Sequence, residues 1–207
     1  MIEYDRTDAL VVVDVQNDFA HPDGSLYVRG GEEVVAVVNA EIERALGAGA
    51  TVLYTQDWHP EVTPHFEADG GTWPVHCVGE TWGAAFHPDL RVVDGAPVVR
   101  KGVDGRDGYS GFSVRHPTSG DVEATRLESL LRERGVDRVV IVGLATDYCV
   151  VETALDSRRL GHPTTVLLEG VRPVELRAGD HERALQRMRD AGVELVEGSA
   201  AAGARQL

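Results

Sequence analysis

Three reactive side chains stand where predicted strands give way to turns or helices, and together they could break an amide bond. Cys149 lies in G-L-A-T-D-Y-C-V (Gly143 to Val150), where an apolar strand ends and a helix is expected to begin near Thr146 or Asp147. A cysteine in the first turn of a helix meets unpaired backbone N–H groups and the positive end of the helix dipole, which favour a thiolate. The same N–H groups could receive the oxyanion of a carbonyl attacked by sulfur. A small buried hydrophobe would suit the position equally well. Asp14 ends the run V-V-V-D-V-Q-N-D-F; its carboxylate could take the thiol proton and return it to a leaving amine, or it could simply cap the following turn. Lys101, in V-V-R-K-G, follows another short strand in a chain that draws nearly all its other positive charge from arginine. A lysine there could lower the thiol pKa and stabilise developing negative charge.

A second constellation has the composition of a metal site. In D-W-H-P-E-V-T-P-H, Asp57 and His59 are two residues apart in a segment expected to be extended, so their side chains should share one side. His65 follows Pro60 and Pro64, which restrict the loop and could return it to the same place. One carboxylate and two imidazoles suit Zn²⁺, Fe²⁺ or Mn²⁺, with water in the open positions. His76, in W-P-V-H-C, is a candidate fourth ligand, although loop histidines are often surface residues. His21, His87, His116, His162 and His181 read as structural or surface groups, and Cys77 as a packing residue. Phe19, Trp73, Tyr109 and Tyr148 flank these positions and could line a flat, mostly apolar pocket, though each alone also suits a core.

The elements that must position these residues are legible as a pattern. Ala9 to Val13, Thr51 to Thr55, Pro97 to Val99, Arg138 to Val142, Thr164 to Leu168 and Val193 to Val196 are short continuous apolar runs rich in β-branched residues. Such runs suit strands buried on both faces of a parallel sheet. Between them, Val34, Val38, Ile42 and Ala45 recur at helical spacing before Gly47 and Gly49. Further stripes at Leu127–Leu130–Leu131, Val150–Val151–Ala154–Leu155 and Ala184–Leu185–Met188 end at Gly135, Gly161 and Gly192. The alternation predicts an α/β fold with helices on both faces of the sheet, as one domain over residues 1–207. The stretch from about 57 to 90 lacks periodicity and leaves the end of a strand, where α/β sheets bind ligands.

Composition narrows the partners. A formal net charge of -14 argues against nucleic-acid binding, and no apolar run approaches the length of a membrane span. Glu3, Asp5, Arg6 and Asp8 do not fit the apolar region of a secretory signal, and two cysteines without that context are expected to be free thiols in the cytoplasm.

Taken together, these pieces resemble the nicotinamidase branch of the isochorismatase-like hydrolase family. The matching segments are D-V-Q-N-D-F (Asp14 to Phe19), G-S-L (Gly24 to Leu26), D-W-H…H (Asp57 to His65) and W-P-V-H-C-V (Trp73 to Val78). R-K-G (Arg100 to Gly102), Y-S-G-F (Tyr109 to Phe112) and G-L-A-T-D-Y-C-V complete the set, in family order. The resemblance implies a Rossmann-like, three-layer fold around a six-stranded parallel sheet. It implies hydrolysis of nicotinamide to nicotinate and ammonia through a thioester, in NAD salvage. It assigns catalysis to Asp14, Lys101 and Cys149, and an oxyanion hole to the N–H groups of Ala145 and Cys149 beside a cis Leu144–Ala145 peptide. Asp57, His59 and His65, with His76 nearby, would hold one divalent metal that binds the pyridine nitrogen. Phe19, Leu26, Trp73, Tyr109 and Tyr148 would contact the ring. A homo-oligomer is compatible with this reading. The alternative keeps the cysteine chemistry but takes a carbamoyl or ureido amide, whose relatives generally lack the metal set. Isochorismate cleavage, which does not need this cysteine, and a non-catalytic binding protein fit less of the pattern.

Overall fold

The computed structural model describes residues 2–198; the ends of the expected 1–207 domain, residue 1 and residues 199–207, lie outside the described residues. In chain order the elements are β1 (Asp8–Val13), a short α1 (Asn17–Ala20), α2 (Gly31–Ala48), β2 (Thr51–Asp57), β3 (Val98–Lys101), β4 (Ser113–Arg115) and β5 (Val122–Ala124). They continue with α3 (Leu127–Glu133), β6 (Arg138–Leu144), α4 (Val151–Arg159), β7 (Thr164–Arg172), α5 (Asp180–Asp190) and β8 (Glu194–Val196). Six strands form one parallel sheet in the order β3-β2-β1-β6-β7-β8. The six strands expected from the apolar runs are these six.

The valine-rich runs are continuous because the central strands have two faces to bury. Leu10 and Val12 of β1 join a core with Val34, Val38, Ile42 and Ala45 of α2. Ala9, Val11 and Val13 join a second core with apolar residues of α3, α4 and α5. Helices therefore cover both faces, giving three layers. The edge strand β3 differs from expectation: Val98 and Arg100 are exposed while Val99 and Lys101 are buried. An edge strand packs one face only, so it alternates. The antiparallel pair β4–β5 was not expected, since its three-residue strands are largely exposed and carry no periodic signal.

The chain leaves β1 toward β2 and β3 on one side and fills β6, β7 and β8 on the other. The carboxyl ends of β1 and β6 thus flank a topological switch point, where connections diverge and open a crevice. At this seam Gly143 has φ 117°, and a Cβ there would lie 2.0 Å from the carbonyl oxygen of Val13. Only glycine permits both the backbone angle and the contact. Gly143→Ala is expected to destabilise the fold by about 3 kcal/mol or more. A denaturant-unfolding midpoint close to wild type would contradict this reading of the seam.

Candidate active site

Four adjacent strands deliver the reactive groups to one edge. Asp14 follows β1, Asp57 ends β2, Lys101 ends β3, and Cys149 sits in a π-helical turn (Thr146–Val150) that follows β6 and runs into α4. The helix start expected near Thr146 is this turn. Lys101 is the only lysine in the sequence, and it is fully buried. Its Nζ lies 2.7 Å from Asp14 Oδ2 and 2.6 Å from Asp57 Oδ1, and donates to Cys149 Sγ at 3.4 Å and to the Tyr109 carbonyl at 3.2 Å. Carboxylate oxygens of Asp14 and Asp57 and the sulfur of Cys149 all fall within 4.8 Å of one another. Asp14 also accepts a hydrogen bond from Thr55 Oγ1 at 2.5 Å, and its backbone adopts φ 49°, a left-handed conformation unusual for a non-glycine residue.

Burial dominates the electrostatics. It raises the Asp14 pKa against the pull of Lys101. Burial also pushes Asp57 up, but Lys101, then His59 and His76, outweigh it and hold that carboxyl down at about 2. Lys101 remains a cation, because Asp14 and Asp57 overcome the burial that would neutralise it. Cys149 departs from expectation: Lys101 does lower its pKa, but burial raises it more, and the group rests as a thiol.

The aperiodic stretch from 57 to 90 owes its order to long-range pairing. Trp58 N–H donates to the Lys101 carbonyl, His59 N–H to that of Cys77, and Gly79 N–H to that of His59. Gln16 ties the stretch to the sheet: its side chain donates to the carbonyls of Asp57 and Ala84 and accepts from Asp57 N–H. This folding gathers ring nitrogens of His59, His65 and His76 within 4.8 Å of one another. His59 and His65 stack at 4.6 Å between centroids. His76, the candidate fourth ligand, is a full member of the cluster. Asp57, expected to share a side with His59, gives one oxygen to Lys101, groups with Asp14 and Cys149, and lines one pocket with His65 and His76.

The imidazoles suit a divalent metal on independent grounds. Among the described residues, both ring nitrogens of His59 are buried without a hydrogen-bond partner, which is costly unless something coordinates one of them. His76 Nδ1 lies 2.7 Å from the Pro74 carbonyl, and His65 Nδ1 lies 2.8 Å from Asp107 Oδ1, leaving each Nε2 available. Burial lowers the pKa of His59 to about 4 and depresses that of His76, so both are neutral donors. Cys77 joins neither cluster; it is buried, as expected of a packing residue.

Between the two groups opens a pocket lined by Phe19, Leu26, Trp73, Tyr109, Tyr148 and Ala145, together with Asp57, His65, His76 and Cys149. All five expected ring-contacting residues line it. Trp73 Nε1 donates to the Tyr109 hydroxyl at 2.9 Å, and Tyr148 meets both rings edge-on. The Leu144–Ala145 peptide is cis. Sequence reasoning missed Val28 and Val174 in the lining, Asp107 behind His65, and Asp18. Asp18 accepts from the N–H groups of Ser25 and Cys77, holding the segments that carry Leu26 and His76.

The sequence model of the isochorismatase domain family matches residues 8–199. A nicotinamidase/pyrazinamidase of Mycobacterium tuberculosis is 40% identical over 191 residues, covering 91% of this chain and 97% of that protein. A crystal structure of a pyrazinamidase of Pyrococcus horikoshii in complex with zinc superposes with a TM-score of 0.83 at 38% identity, over 93% of this chain and 99% of the other. The L. infantum protein PnC1 in complex with nicotinate superposes with a TM-score of 0.82 at 36% identity, covering 93% of each chain.

Asp107 orients His65 from a half-exposed position, so its loss should spare the fold. Asp107→Ala is expected to weaken divalent-metal binding by about ten- to a hundredfold in a chelator-competition titration. An unchanged affinity would show that Asp107 does not orient His65 for a metal.

Proposed function

The chain belongs to the isochorismatase domain family, and from that membership we propose that it hydrolyses nicotinamide to nicotinate and ammonia through a thioester on Cys149. It does so as one hydrolase domain, in the cytoplasm, returning nicotinamide to NAD synthesis. What carries the reading is the meeting, at one aromatic-walled pocket, of a cysteine–carboxylate–lysine group and a three-imidazole cluster. The first group suits an amide, and the second suits a ring nitrogen on the same small molecule.

His59, His65 and His76, with Asp57 beside them, would hold a divalent ion (Zn²⁺, Fe²⁺ or Mn²⁺), which supplies a Lewis acid toward the pyridine nitrogen. Phe19, Leu26, Trp73, Tyr109 and Tyr148 enclose the ring and exclude water. The carboxamide then lies toward Cys149. Asp14 takes the proton from Sγ as sulfur attacks the carbonyl carbon, and the carbonyl electron pair moves onto oxygen. The N–H groups of Ala145 and Cys149 receive that oxyanion. As the tetrahedral centre collapses, the C–N bond breaks and the proton on Asp14 goes to the departing ammonia, leaving the thioester. Water next gives its proton to Asp14 and adds to the thioester carbonyl. Collapse expels the sulfur, which recovers the proton from Asp14, and the acid leaves as nicotinate, giving its carboxyl proton to the released ammonia. Lys101 keeps its charge throughout, fixing Asp14 beside the sulfur and offsetting the negative charge that gathers there.

Metal-loaded protein given nicotinamide, a carbamoyl amide and isochorismate in parallel should release ammonia from nicotinamide; turnover of one of the others alone would overturn the substrate assignment. Cys149→Ala should cut that release to below about one-thousandth of wild type while retaining its metal. Substantial residual turnover would remove Cys149 as the nucleophile.

A further inference from the structure

The turn that carries the nucleophile also carries a carboxylate with no part in the reaction. Asp147 precedes Cys149 by two residues in the π-helical turn, and it does not line the pocket. Its two oxygens accept hydrogen bonds from two successive backbone amides: Val174 N–H to Oδ1 at 2.9 Å, and Glu175 N–H to Oδ2 at 2.8 Å. Bonds from N–H groups to an ionised carboxylate are among the stronger ones available to a protein.

These bonds tether the connection between β7 and α5. The sheet fixes the chain only as far as Arg172, which pairs with Leu144, and α5 begins at Asp180. Within the connection Glu175 holds φ 54°, a left-handed conformation that a non-glycine residue keeps only where its surroundings impose it. Its Oε1 accepts from Gly179 N–H at 3.1 Å, closing the segment on itself. Val174, the residue directly tethered, lines the pocket with Ala145, Tyr148 and Cys149.

We propose that Asp147 is a positioning residue: it locks Val174 as a pocket wall against the turn that holds the nucleophile, so that substrate binding depends on a carboxylate outside the pocket. The kinetic part of this inference rests on the nicotinamide reading; the tether itself does not.

The test uses metal-loaded wild type, Asp147→Asn, Asp147→Ala, Val174→Ala and the Asp147→Ala/Val174→Ala double variant. Amide hydrogen exchange at Val174 and Glu175 should accelerate about tenfold or more in Asp147→Ala. KM for nicotinamide should rise about tenfold with kcat within about threefold, and Asp147→Asn, which keeps one acceptor, should fall between. In the Val174→Ala background, Asp147→Ala should add little to KM, because the wall it positions has been cut back. Unchanged exchange at the two amides would overturn the tether. Equal effects on KM in both backgrounds, or a lower melting temperature with KM unchanged, would reduce Asp147 to a stabilising role. If wild type leaves nicotinamide intact, the functional reading fails, and the exchange experiment still decides the tether.

Discussion

One buried ammonium organises this protein. Lys101 has no exposed surface and contacts Asp14, Asp57 and Cys149 at once. Removing a charge from water costs several kcal/mol per ion, and that cost is offset only when the geometry is close and the remaining hydrogen bonds are made. Here two carboxylates, a thiol and the Tyr109 carbonyl surround one cation. The arrangement forces three neighbouring strand ends into register at the Nζ and places the nucleophile's turn against them. Lys101, with His59 and His76, holds the Asp57 carboxyl ionised against its burial, and that negative charge beside the imidazoles would favour a bound cation. The lysine thereby links the thiol chemistry to the imidazole cluster through Asp57.

The sheet supplies the rigid side of the site and long-range tethers supply the rest. Gly143 lets β6 approach β1 closely enough for the Cys149 turn to reach Asp14. Gly102 serves the other cluster: a Cβ there would lie 2.6 Å from His59 Nδ1. Gln16 and Asp18 hold the 57–90 stretch against the strand ends through backbone groups. The pocket walls are thus fixed by buried polar bonds rather than by secondary structure of their own, which suits a loop that must present several histidines and aromatics at defined distances.

Much of this was legible in the sequence, for identifiable reasons. Asp14 and Lys101 stand at strand ends and Cys149 in the turn that follows one, so the parallel-sheet rule alone brings them to one edge. The histidines were visible as a cluster because prolines and close spacing limit where the loop can take them. The exact partition of Asp57 was not legible: residue spacing places its side chain but not the lysine that competes for it. Asp18 and Asp107 were missed because each acts on a residue far along the chain; Asp18 and Cys77 are 59 residues apart. The thiol's pKa was misjudged in its balance: the neighbouring cation could be read from position, but the depth of burial that outweighs it could not.

The most direct test of the account is the mass of the enzyme caught during turnover. Metal-loaded protein mixed with excess nicotinamide, acid-quenched within a turnover and digested, should show one nicotinoyl group on the peptide that contains Cys149 and none on the peptide that contains Cys77. Steady ammonia release with no acyl adduct on Cys149, or with the adduct elsewhere, would contradict it.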